Sequence, residues 1–348
     1  GKGGVETVVK DITQKLNEYG HETFVFLPDP SDDITWENEI KNVYYYAKNT
    51  NVLVSSVYDL IFNKILGLSN LVQILGKPDI IIATHDPQTV LYSKFLVGTN
   101  TIPIVSWLHS PPEIFSNPYF INYADVHWAI SKYMEMKIRD LLMTHDKVFW
   151  VGNPVNLNAK KISVKNNARF LYIGRLENKL KRIDVLIQAL SRVKQPWQLD
   201  IYGDGPDRNE LNKLAENLGI NDFIQWHGWV KNPWEDIQNV TALILTSELE
   251  GFGMAVLEAL ARGIPVISTE SYGVRDLIFH GKNGWLVPKD NVIALTRQIE
   301  KIILLPQNEL FSFSNNACDS IGKFAIENVL DRMKESLSSY IAPERWNF

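Results

Sequence analysis

The sequence predicts an α/β protein made of two doubly wound domains. Short runs of β-type residues alternate with amphipathic helical stretches, a pattern typical of parallel sheets covered by helices. The 348 residues exceed what one ordinary hydrophobic core holds, and two domains of roughly 150 to 200 residues are the usual arrangement. A proline and a polar stretch, from Pro154 to Asn167, interrupt the alternation near the middle of the chain.

The first predicted domain covers residues 1–153. It begins with a glycine-rich loop, Gly1–Gly4, and continues into a helix over Val5–Tyr19. In a doubly wound domain such a loop follows a first strand, so we expect an apolar strand upstream of this loop. Five further strands are predicted, at Thr23–Leu27, Asp79–Thr84, Ile102–Leu108, Val126–Ser131 and Lys147–Val151.

The second predicted domain covers residues 154–325. Residues 326–348 are predicted to form a helix that packs back towards the first domain. In open parallel sheets, ligands bind at the carboxyl ends of the strands, so we expect site residues in the loops that follow them. The strands of this domain are predicted at Arg169–Ile173, Gln198–Tyr202, Ile224–His227, Thr241–Leu245 and Pro265–Ser268.

Composition narrows the class of protein. A hydrophobic content of 45% and a charged content of 22% are those of a soluble globular protein. The single cysteine, Cys318, permits no internal disulfide and favours a reducing compartment, so we expect a cytoplasmic location. We expect the thiol itself to be buried or half-buried. The pI near 5.9 and the lack of a basic stripe argue against nucleic acid as a partner.

Membrane contact has one candidate segment. The sequence contains no apolar stretch of transmembrane length. Residues 1–150 hold 12 Lys and Arg against 17 Asp and Glu, which argues against broad docking on anionic lipid. The stretch Val57–Leu75 is unusually apolar. A core-facing helix is the preferred interpretation, and a helix lying on the inner face of the membrane is the alternative.

The most informative segment carries two carboxylates around a junction between loop and helix. The apolar run Ala242–Leu245 predicts a buried strand, and a glycine-flanked turn then places Glu250 in a loop before a helix that reaches about Gly263. Glu258 is expected two turns along, with the first N–H groups of the helix between the carboxylates. Carboxylates suit vicinal hydroxyls and exposed amides suit phosphate, so the pattern favours a sugar joined to a nucleotide.

Five blocks of the sequence resemble motifs of the family-4 retaining glycosyltransferases and follow one another in the order expected for that family. Glu250–Glu258 resembles the Glu-x7-Glu signature of that family, and Phe170–Leu176 with Lys181–Asp184 resembles its Gly-Arg-Leu…Lys-Gly-Ile-Asp block. Tyr202–Pro206 resembles the Gly-Asp-Gly-Pro turn, and Gly3–Thr7 the N-terminal Gly-Gly loop. A single block is a weak signal, whereas five in order span nearly the whole chain.

The resemblance implies the GT-B fold, in which two Rossmann-like domains face each other across a cleft, and it implies transfer with retention of anomeric configuration. The implied catalytic residues are Arg175 and Lys181 on the leaving diphosphate and Glu250 on hydroxyls of the transferred sugar. His109, which follows a strand of the first domain, would face the donor sugar and the leaving phosphate. Neutral imidazole would bond a sugar hydroxyl, and its cation would help to stabilise phosphate.

One departure from the family pattern concerns the phosphate-binding lysine. Lys181 is expected at the start of the helix that follows Arg175, but four additional residues, Glu177–Leu180, precede it. Lys179 and Arg182 are therefore alternatives for its role.

The remaining donor contacts are also implied by the resemblance. Glu258 would accept hydrogen bonds from the ribose hydroxyls, and backbone N–H groups would line the loop before its helix. Gly228 and Trp229, at the end of a predicted strand, would border the base. For Trp229 and Trp234, packing in the core is an equal interpretation. The implied donor-binding residues are Gly4, Gly228, Trp229, Phe252, Gly253, Met254 and Glu258.

The donor and acceptor follow from the same resemblance. The sequence contains no Asp-x-Asp motif and no His-x-x-x-His spacing, so we expect no metal and no cofactor. The blocks Val105–His109, Gly228–Glu235 and Leu245–Phe252 are most similar to bacterial lipopolysaccharide 1,6-galactosyltransferases. This similarity implies UDP-galactose, with UDP-glucose next, and a glycan or lipid-linked glycan of the cell surface as acceptor.

Other functions stay open at this stage. A capsule, exopolysaccharide or protein O-glycosyltransferase would have similar nucleotide-side residues. A GT-B epimerase or sugar phosphorylase is a second class, although the sequence shows no cofactor lysine or free-phosphate site. A non-catalytic GT-B partner subunit is a third class, and it has no need to keep Arg175, Lys181, Glu250 and Glu258 together.

Overall fold

The structure is a computed structural model that describes residues 3–31, 34–47, 57–98, 102–142 and 147–341, without the side chains of residues 57–60. It divides into two compact units. The first unit comprises residues 1–154 and 326–348, and the second comprises residues 155–325. Each unit contains parallel sheets with helices in the connections, so the predicted α/β class with two Rossmann-like domains is confirmed.

The described residues form fourteen strands. Those of the first unit are β1 Val25–Leu27, β2 Val43–Tyr45, β3 Ile81–Thr84, β4 Ile104–Leu108, β5 Val126–Ala129 and β6 Val148–Trp150. Those of the second unit are β7 Ser163–Val164, β8 Arg169–Ile173, β9 Gln198–Tyr202, β10 Ile224–Gly228, β11 Asn239–Val240, β12 Ala242–Leu245, β13 Val266–Thr269 and β14 Gly284–Val287.

Eleven α-helices connect and cover the strands within the described residues. They are α1 Gly4–Glu18, α2 Val57–Leu75, α3 Pro87–Val97, α4 Lys132–Leu141, α5 Asn178–Lys181, α6 Ile183–Leu190, α7 Arg208–Asn217, α8 Met254–Ala261, α9 Val292–Ile303, α10 Gln307–Asp319 and α11 Ile326–Ser336.

The first unit is built on a four-stranded parallel sheet of order β3-β4-β5-β6, with β1 and β2 forming a separate parallel pair. The C-terminal helix α11 packs on this unit. Its Ser336 hydroxyl accepts a hydrogen bond of 2.7 Å from the Trp128 indole N–H, and the Arg332 guanidinium donates to the Val151 carbonyl. Helix α11 therefore belongs to the first unit although it follows the second in sequence.

Helix α2 packs against the core of the first unit. Ile61, Ile65 and Leu68 contact a cluster that contains Tyr46 and Tyr92. The core-facing interpretation of this apolar stretch is therefore confirmed for one face of the helix. Three apolar residues of the same helix remain exposed, namely Phe62, Leu66 and Ile74. Within the described part of the chain, none of the helices combines the length and hydrophobicity that a membrane span requires.

The second unit contains a six-stranded parallel sheet of order β10-β9-β8-β12-β13-β14. The chain enters at β8, adds β9 and β10 on one side, and then adds β12, β13 and β14 on the other. The order therefore reverses between β8 and β12, and such a switch point is where open α/β sheets bind ligands. The lone cysteine, Cys318, is half-buried on α10, as predicted.

Candidate active site

The loops that leave β8 and β12 form the centre of the candidate site. The two strands are neighbours in the sheet, so Gly174–Arg175 and the loop that begins at Thr246 emerge side by side. The loop after β9 presses on the first of these segments. A Cβ on Gly203 would lie 1.9 Å from the Gly174 carbonyl oxygen, so only glycine fits this crossing.

Lys181 and Glu250 are brought together at this edge. The Lys181 ammonium donates to Glu250 Oε1 at 2.6 Å, and the Ser247 hydroxyl donates to the same oxygen at 2.8 Å. The Glu250 side chain is 11% exposed and that of Lys181 is 24% exposed. An ion pair this well shielded is far less screened by solvent than a surface pair.

Hydroxyl and backbone hydrogen bonds fix the loop that carries Glu250. The Thr246 hydroxyl donates to the Lys181 carbonyl at 3.0 Å, and the Glu248 N–H donates to the Leu180 carbonyl at 2.9 Å. From β13, the Thr269 hydroxyl donates to the Ser247 carbonyl at 2.7 Å. The backbone on both sides of the ion pair is therefore held by the sheet.

Lys181 was predicted at the start of the next helix, but it is the last residue of the short helix α5. Arg182 follows in the left-handed region with φ of 47°, which separates α5 from α6. The Arg182 guanidinium pairs with Asp184 and Asp290, and Lys179 is exposed. Of the three candidate cations, Lys181 is the one that reaches Glu250.

Arg175 combines a fixed backbone with a projecting side chain. Its carbonyl accepts a hydrogen bond of 3.2 Å from the Tyr172 hydroxyl. Burial raises the pKa of this fully buried tyrosine, and the nearby Glu250 carboxylate raises it further. The Arg175 side chain is 69% exposed, with its Nε 3.6 Å from the Glu177 carboxylate. The guanidinium is therefore available to a charged ligand at low structural cost.

The second carboxylate of the motif lies closer to the helix start than predicted. Gly253 caps α8 with φ of 95°, a conformation that strongly favours glycine, and α8 begins at Met254. Glu258 is consequently one helical turn into α8 rather than two, because the loop takes up half of the spacing. The helix ends at Ala261, before Gly263, whose φ of 77° stops it.

A tryptophan and an arginine hold Glu258 in place. The Trp234 indole N–H donates to Glu258 Oε2 at 2.8 Å, and the indole is buried. The Arg262 guanidinium lies 4.5 Å from the centre of the Trp234 ring and donates to the Glu258 carbonyl. Burial lowers the pKa of Arg262, and the Glu258 charge acts in the opposite direction. Trp234 is thus packed in the core and also orients the Glu258 carboxylate.

The loop residues between the two carboxylates present backbone rather than side chains. Phe252 is buried, with its ring 5.3 Å from that of Phe324 in an edge-to-face contact. The Gly273 N–H donates to the Glu250 carbonyl at 3.1 Å, and a Cβ on Gly273 would lie 2.5 Å from that carbonyl oxygen. Only main-chain atoms of Phe252 are therefore candidates for ligand contact.

At the far side of the sheet, the end of β10 forms a turn. Gly228 has φ of 73°, and its carbonyl accepts a hydrogen bond of 2.7 Å from the Gly203 N–H. The following Trp229 is 38% exposed. The preceding His227 stacks on Tyr202 with ring centres 4.0 Å apart. This turn and its aromatic residues lie two strands from β8.

His109 and Gly4, the predicted site residues of the first unit, differ in setting. His109 follows β4, is 8% exposed, and its Nε2 has no hydrogen-bond partner among the described residues. Burial, with a smaller contribution from His85, lowers the pKa of His109 to about 3. This imidazole is therefore neutral at physiological pH, which favours the first of its two predicted roles. Gly4 begins α1.

Three contributors to the site were not predicted. Ser247 lies inside the quoted motif, but a serine in a loop gives no sign of its target. Tyr172 lies within the apolar run of β8 and looks like a core residue. The bond from Trp234 to Glu258 joins segments 24 residues apart. Within the residues that the structure describes, no three His, Cys, Asp or Glu side chains converge in a way that would hold a metal ion.

Two family models match the chain in succession. The model described as Glycosyltransferase Family 4 matches residues 2–159, and the model described as Glycosyl transferases group 1 matches residues 156–319. Together they span most of both units.

Relatives of similar length also match. The chain is 30% identical to the lipopolysaccharide 1,6-galactosyltransferase of Escherichia coli (strain K12), over 98% of this chain and 96% of that protein. It is 32% identical to the Salmonella typhimurium enzyme of the same name, over 87% of each chain. The apo lipopolysaccharide outer core galactosyltransferase WaaB has a TM-score of 0.81 and 28% identity, covering 97% and 96% of the two chains. Anabaena Alr3699/HepE, in complex with UDP and glucose, has a TM-score of 0.83 at 21% identity over 97% of each chain and thus shares the fold.

Proposed function

The chain belongs to the family-4 glycosyltransferases of GT-B fold, and we propose that it moves a hexose from a UDP-sugar to a hydroxyl of a bacterial cell-surface glycan with retention of configuration. The observation that carries the proposal is the shielded pair of Lys181 and Glu250 at the switch point of the second unit. One cation and one carboxylate are thereby offered at the place where a parallel sheet binds nucleotides.

The leaving group determines what the cations do. As the glycosidic bond breaks, negative charge grows on the diphosphate, and positive charge placed there beforehand lowers the barrier. Arg175 supplies a planar fork for two phosphate oxygens, and Lys181 supplies a point charge. The first N–H groups of α8, which have no acceptor within the helix, add the positive end of the helix dipole.

The two carboxylates bind the two sugars of the donor. Glu250 accepts hydrogen bonds from hydroxyls of the transferred hexose, with Gly253 and Met254 contributing main-chain N–H groups. Glu258, oriented by Trp234, accepts from the ribose hydroxyls. Gly4, Gly228, Trp229 and the backbone of Phe252 complete the proposed donor site. His109, neutral at physiological pH, exchanges a hydrogen bond with a hydroxyl of the hexose.

Retention follows from attack on the face that the leaving group vacates. The bond from the anomeric carbon to the phosphate oxygen breaks, and the acceptor oxygen forms a bond to that carbon on the same face. The departing phosphate oxygen takes the acceptor proton. Glu250 binds distal hydroxyls in this scheme and forms no covalent adduct. The test is the anomeric configuration of the product by NMR: retention is expected, and an inverted product or a sugar trapped on a carboxylate would contradict the scheme.

UDP-galactose is the proposed donor, with UDP-glucose second, and no metal or cofactor takes part. Support comes from similarity to two 1,6-galactosyltransferases, over 98% and 87% of this chain, and from Arg175 and Lys181, whose positive charges can neutralise a diphosphate without a metal. The proposed acceptor is a lipopolysaccharide core, capsule or exopolysaccharide glycan, free or lipid-linked. Transfer to a protein hydroxyl and a partner-subunit role are the alternatives.

We propose a cytoplasmic location, with peripheral contact at the inner face of the membrane. The contact is supported by Phe62, Leu66 and Ile74, which α2 leaves exposed beside its buried face. Such side chains insert at the boundary between headgroups and acyl chains. Flotation with vesicles that contain anionic lipid tests this contact, and equal recovery of wild type and Phe62→Ser with vesicles would contradict it.

A further inference from the structure

Lys181 and Glu250 are bonded to each other rather than aimed at separate ligands. The distance from the ammonium to Oε1 is 2.6 Å. Under the proposed function, Lys181 serves the diphosphate and Glu250 serves the hexose. A bound diphosphate therefore competes with the Glu250 carboxylate for the same ammonium group, and the carboxylate also repels it.

Glu250 has a second attachment that does not depend on Lys181. The Ser247 hydroxyl donates to the same carboxylate oxygen at 2.8 Å. Ser247 itself is fully buried, and its carbonyl accepts the hydrogen bond of 2.7 Å from Thr269 on β13. The sheet thus fixes Ser247, and Ser247 holds the carboxylate when the ammonium moves away.

We infer that Ser247 is a positioning residue that keeps Glu250 in place for the hexose while the diphosphate draws Lys181 away, and that the Lys181–Glu250 ion pair re-forms after transfer and promotes nucleotide release. This inference rests on the proposed function. The donor UDP-hexose and the product UDP differ in the hydrogen-bond donors that they present to the Glu250 carboxylate. The hexose of a UDP-hexose supplies hydroxyl donors that replace the ammonium at Glu250, whereas UDP has no hexose, and its ribose hydroxyls are bound by Glu258.

The ion pair therefore weakens the binding of UDP. Calorimetric titration with UDP tests this on wild type, Glu250→Gln, Lys181→Met and the double variant. Because a neutral amide in place of the carboxylate leaves the ammonium to the diphosphate, we expect Glu250→Gln to tighten UDP binding by about tenfold, which corresponds to about 1.4 kcal/mol. In the Lys181→Met background, most of that gain should disappear, to about twofold or less.

The cycle separates the ion pair from simple repulsion. Equal tightening by Glu250→Gln in both backgrounds would show that the carboxylate acts by repulsion alone and would overturn the inference. Glu248→Gln is the matched control, because its carboxylate pairs with Lys289 at 3.1 Å in the same loop. That control should leave UDP affinity within about twofold of wild type.

The role of Ser247 has its own pair of variants. Ser247→Ala removes the donor to Glu250, so we expect kcat to fall about tenfold while UDP affinity changes less than about twofold. Ser271→Ala is the matched control, because the Ser271 hydroxyl is equally buried and has no hydrogen-bond partner among the described residues. Weaker binding of UDP and UDP-hexose by the same factor in Ser247→Ala, with a lowered melting temperature, would indicate a purely structural role and overturn the assignment.

The proposed function and the role of the ion pair can be told apart by experiment. If wild type and every variant bind no UDP, the proposed function falls and the inference falls with it. If wild type binds UDP but the cycle is additive, the inference alone is overturned.

Discussion

At the scale of a single residue, substitution of Arg175 tests its proposed role in binding the leaving diphosphate. Its side chain is exposed, with its Nε 3.6 Å from the Glu177 carboxylate, while its carbonyl is fixed by Tyr172. Removing the guanidinium should therefore cost little stability but remove charge from the transition state. We expect Arg175→Ala to lower kcat by about a hundredfold with an unchanged melting temperature.

Initial rates with saturating donor and a thermal melt measure both quantities. Arg297→Ala, which removes an exposed arginine from α9, is the control and should match wild type. Full activity in Arg175→Ala would remove Arg175 from the leaving-group assignment.

The sequence supplied candidate residues for the site but did not predict the bonds between them. Lys181 and Glu250 both follow from motif matching, yet nothing in their spacing of 69 residues indicates that they meet. Ser247 and Trp234 act through contacts that exist only after β12, β13 and α8 have packed. The neutral state of His109 likewise depends on burial, which no local pattern reveals.

At the scale of elements, long apolar strands were predicted well and short ones were not. Both β8 and β9 begin and end at the predicted residues, because each is a buried strand with clear boundaries. The two-residue strands β7 and β11 were missed, since so short a run has no periodicity to detect. The three-residue strand β2 and the four-residue edge strand β14 were missed as well. The break between α5 and α6 was also missed, because it depends on Arg182 in the left-handed region.

Helix α8 and the indole that reaches it provide a prediction at this scale. Trp234→Phe keeps an aromatic ring under the Arg262 guanidinium but removes the N–H that orients Glu258. Ribose binding should weaken, so we expect KM for UDP-hexose to rise about tenfold with kcat changed less than about threefold. Steady-state kinetics against donor concentration separate the two constants.

Trp197→Phe is a suitable comparison, because Trp197 is a buried tryptophan of the second unit that packs on Phe223. A rise in KM of the same size in Trp197→Phe would show that the effect of Trp234 is general loosening of the unit.

At the scale of the whole molecule, two buried neutral histidines link stability to pH. Burial lowers the pKa of His109 to about 3 and that of His127 to about 4, the latter with a contribution from Lys147. Between pH 7 and pH 5 both histidines become protonated in the unfolded chain but stay neutral in the folded chain. Stability is therefore unaffected above about pH 7 and is lost as pH falls, by about 2 kcal/mol per histidine at pH 5.

Urea unfolding at pH 7 and pH 5 measures this loss. His127→Asn should reduce the difference between the two pH values, whatever it costs at either one. His85→Asn, at an exposed histidine with φ of 74° that asparagine tolerates, should leave the difference unchanged. A pH dependence that is identical in His127→Asn and wild type would contradict the assignment of a neutral His127.

Both units were predicted at the level of sheet type because alternating β and α segments permit few other arrangements. The strand order of the second sheet, and hence the switch point between β8 and β12, had to be observed. That switch point is what unites the Arg175 loop with the Glu250 loop and gives the motifs a common location.

The most direct test of the central claim is release of free nucleotide from a panel of UDP-, GDP- and ADP-sugars, with a chelator present and no acceptor added. Slow turnover of one UDP-hexose, unchanged by the chelator, is the result that the account predicts. No turnover and no binding of any nucleotide would contradict it and would favour a non-catalytic partner subunit.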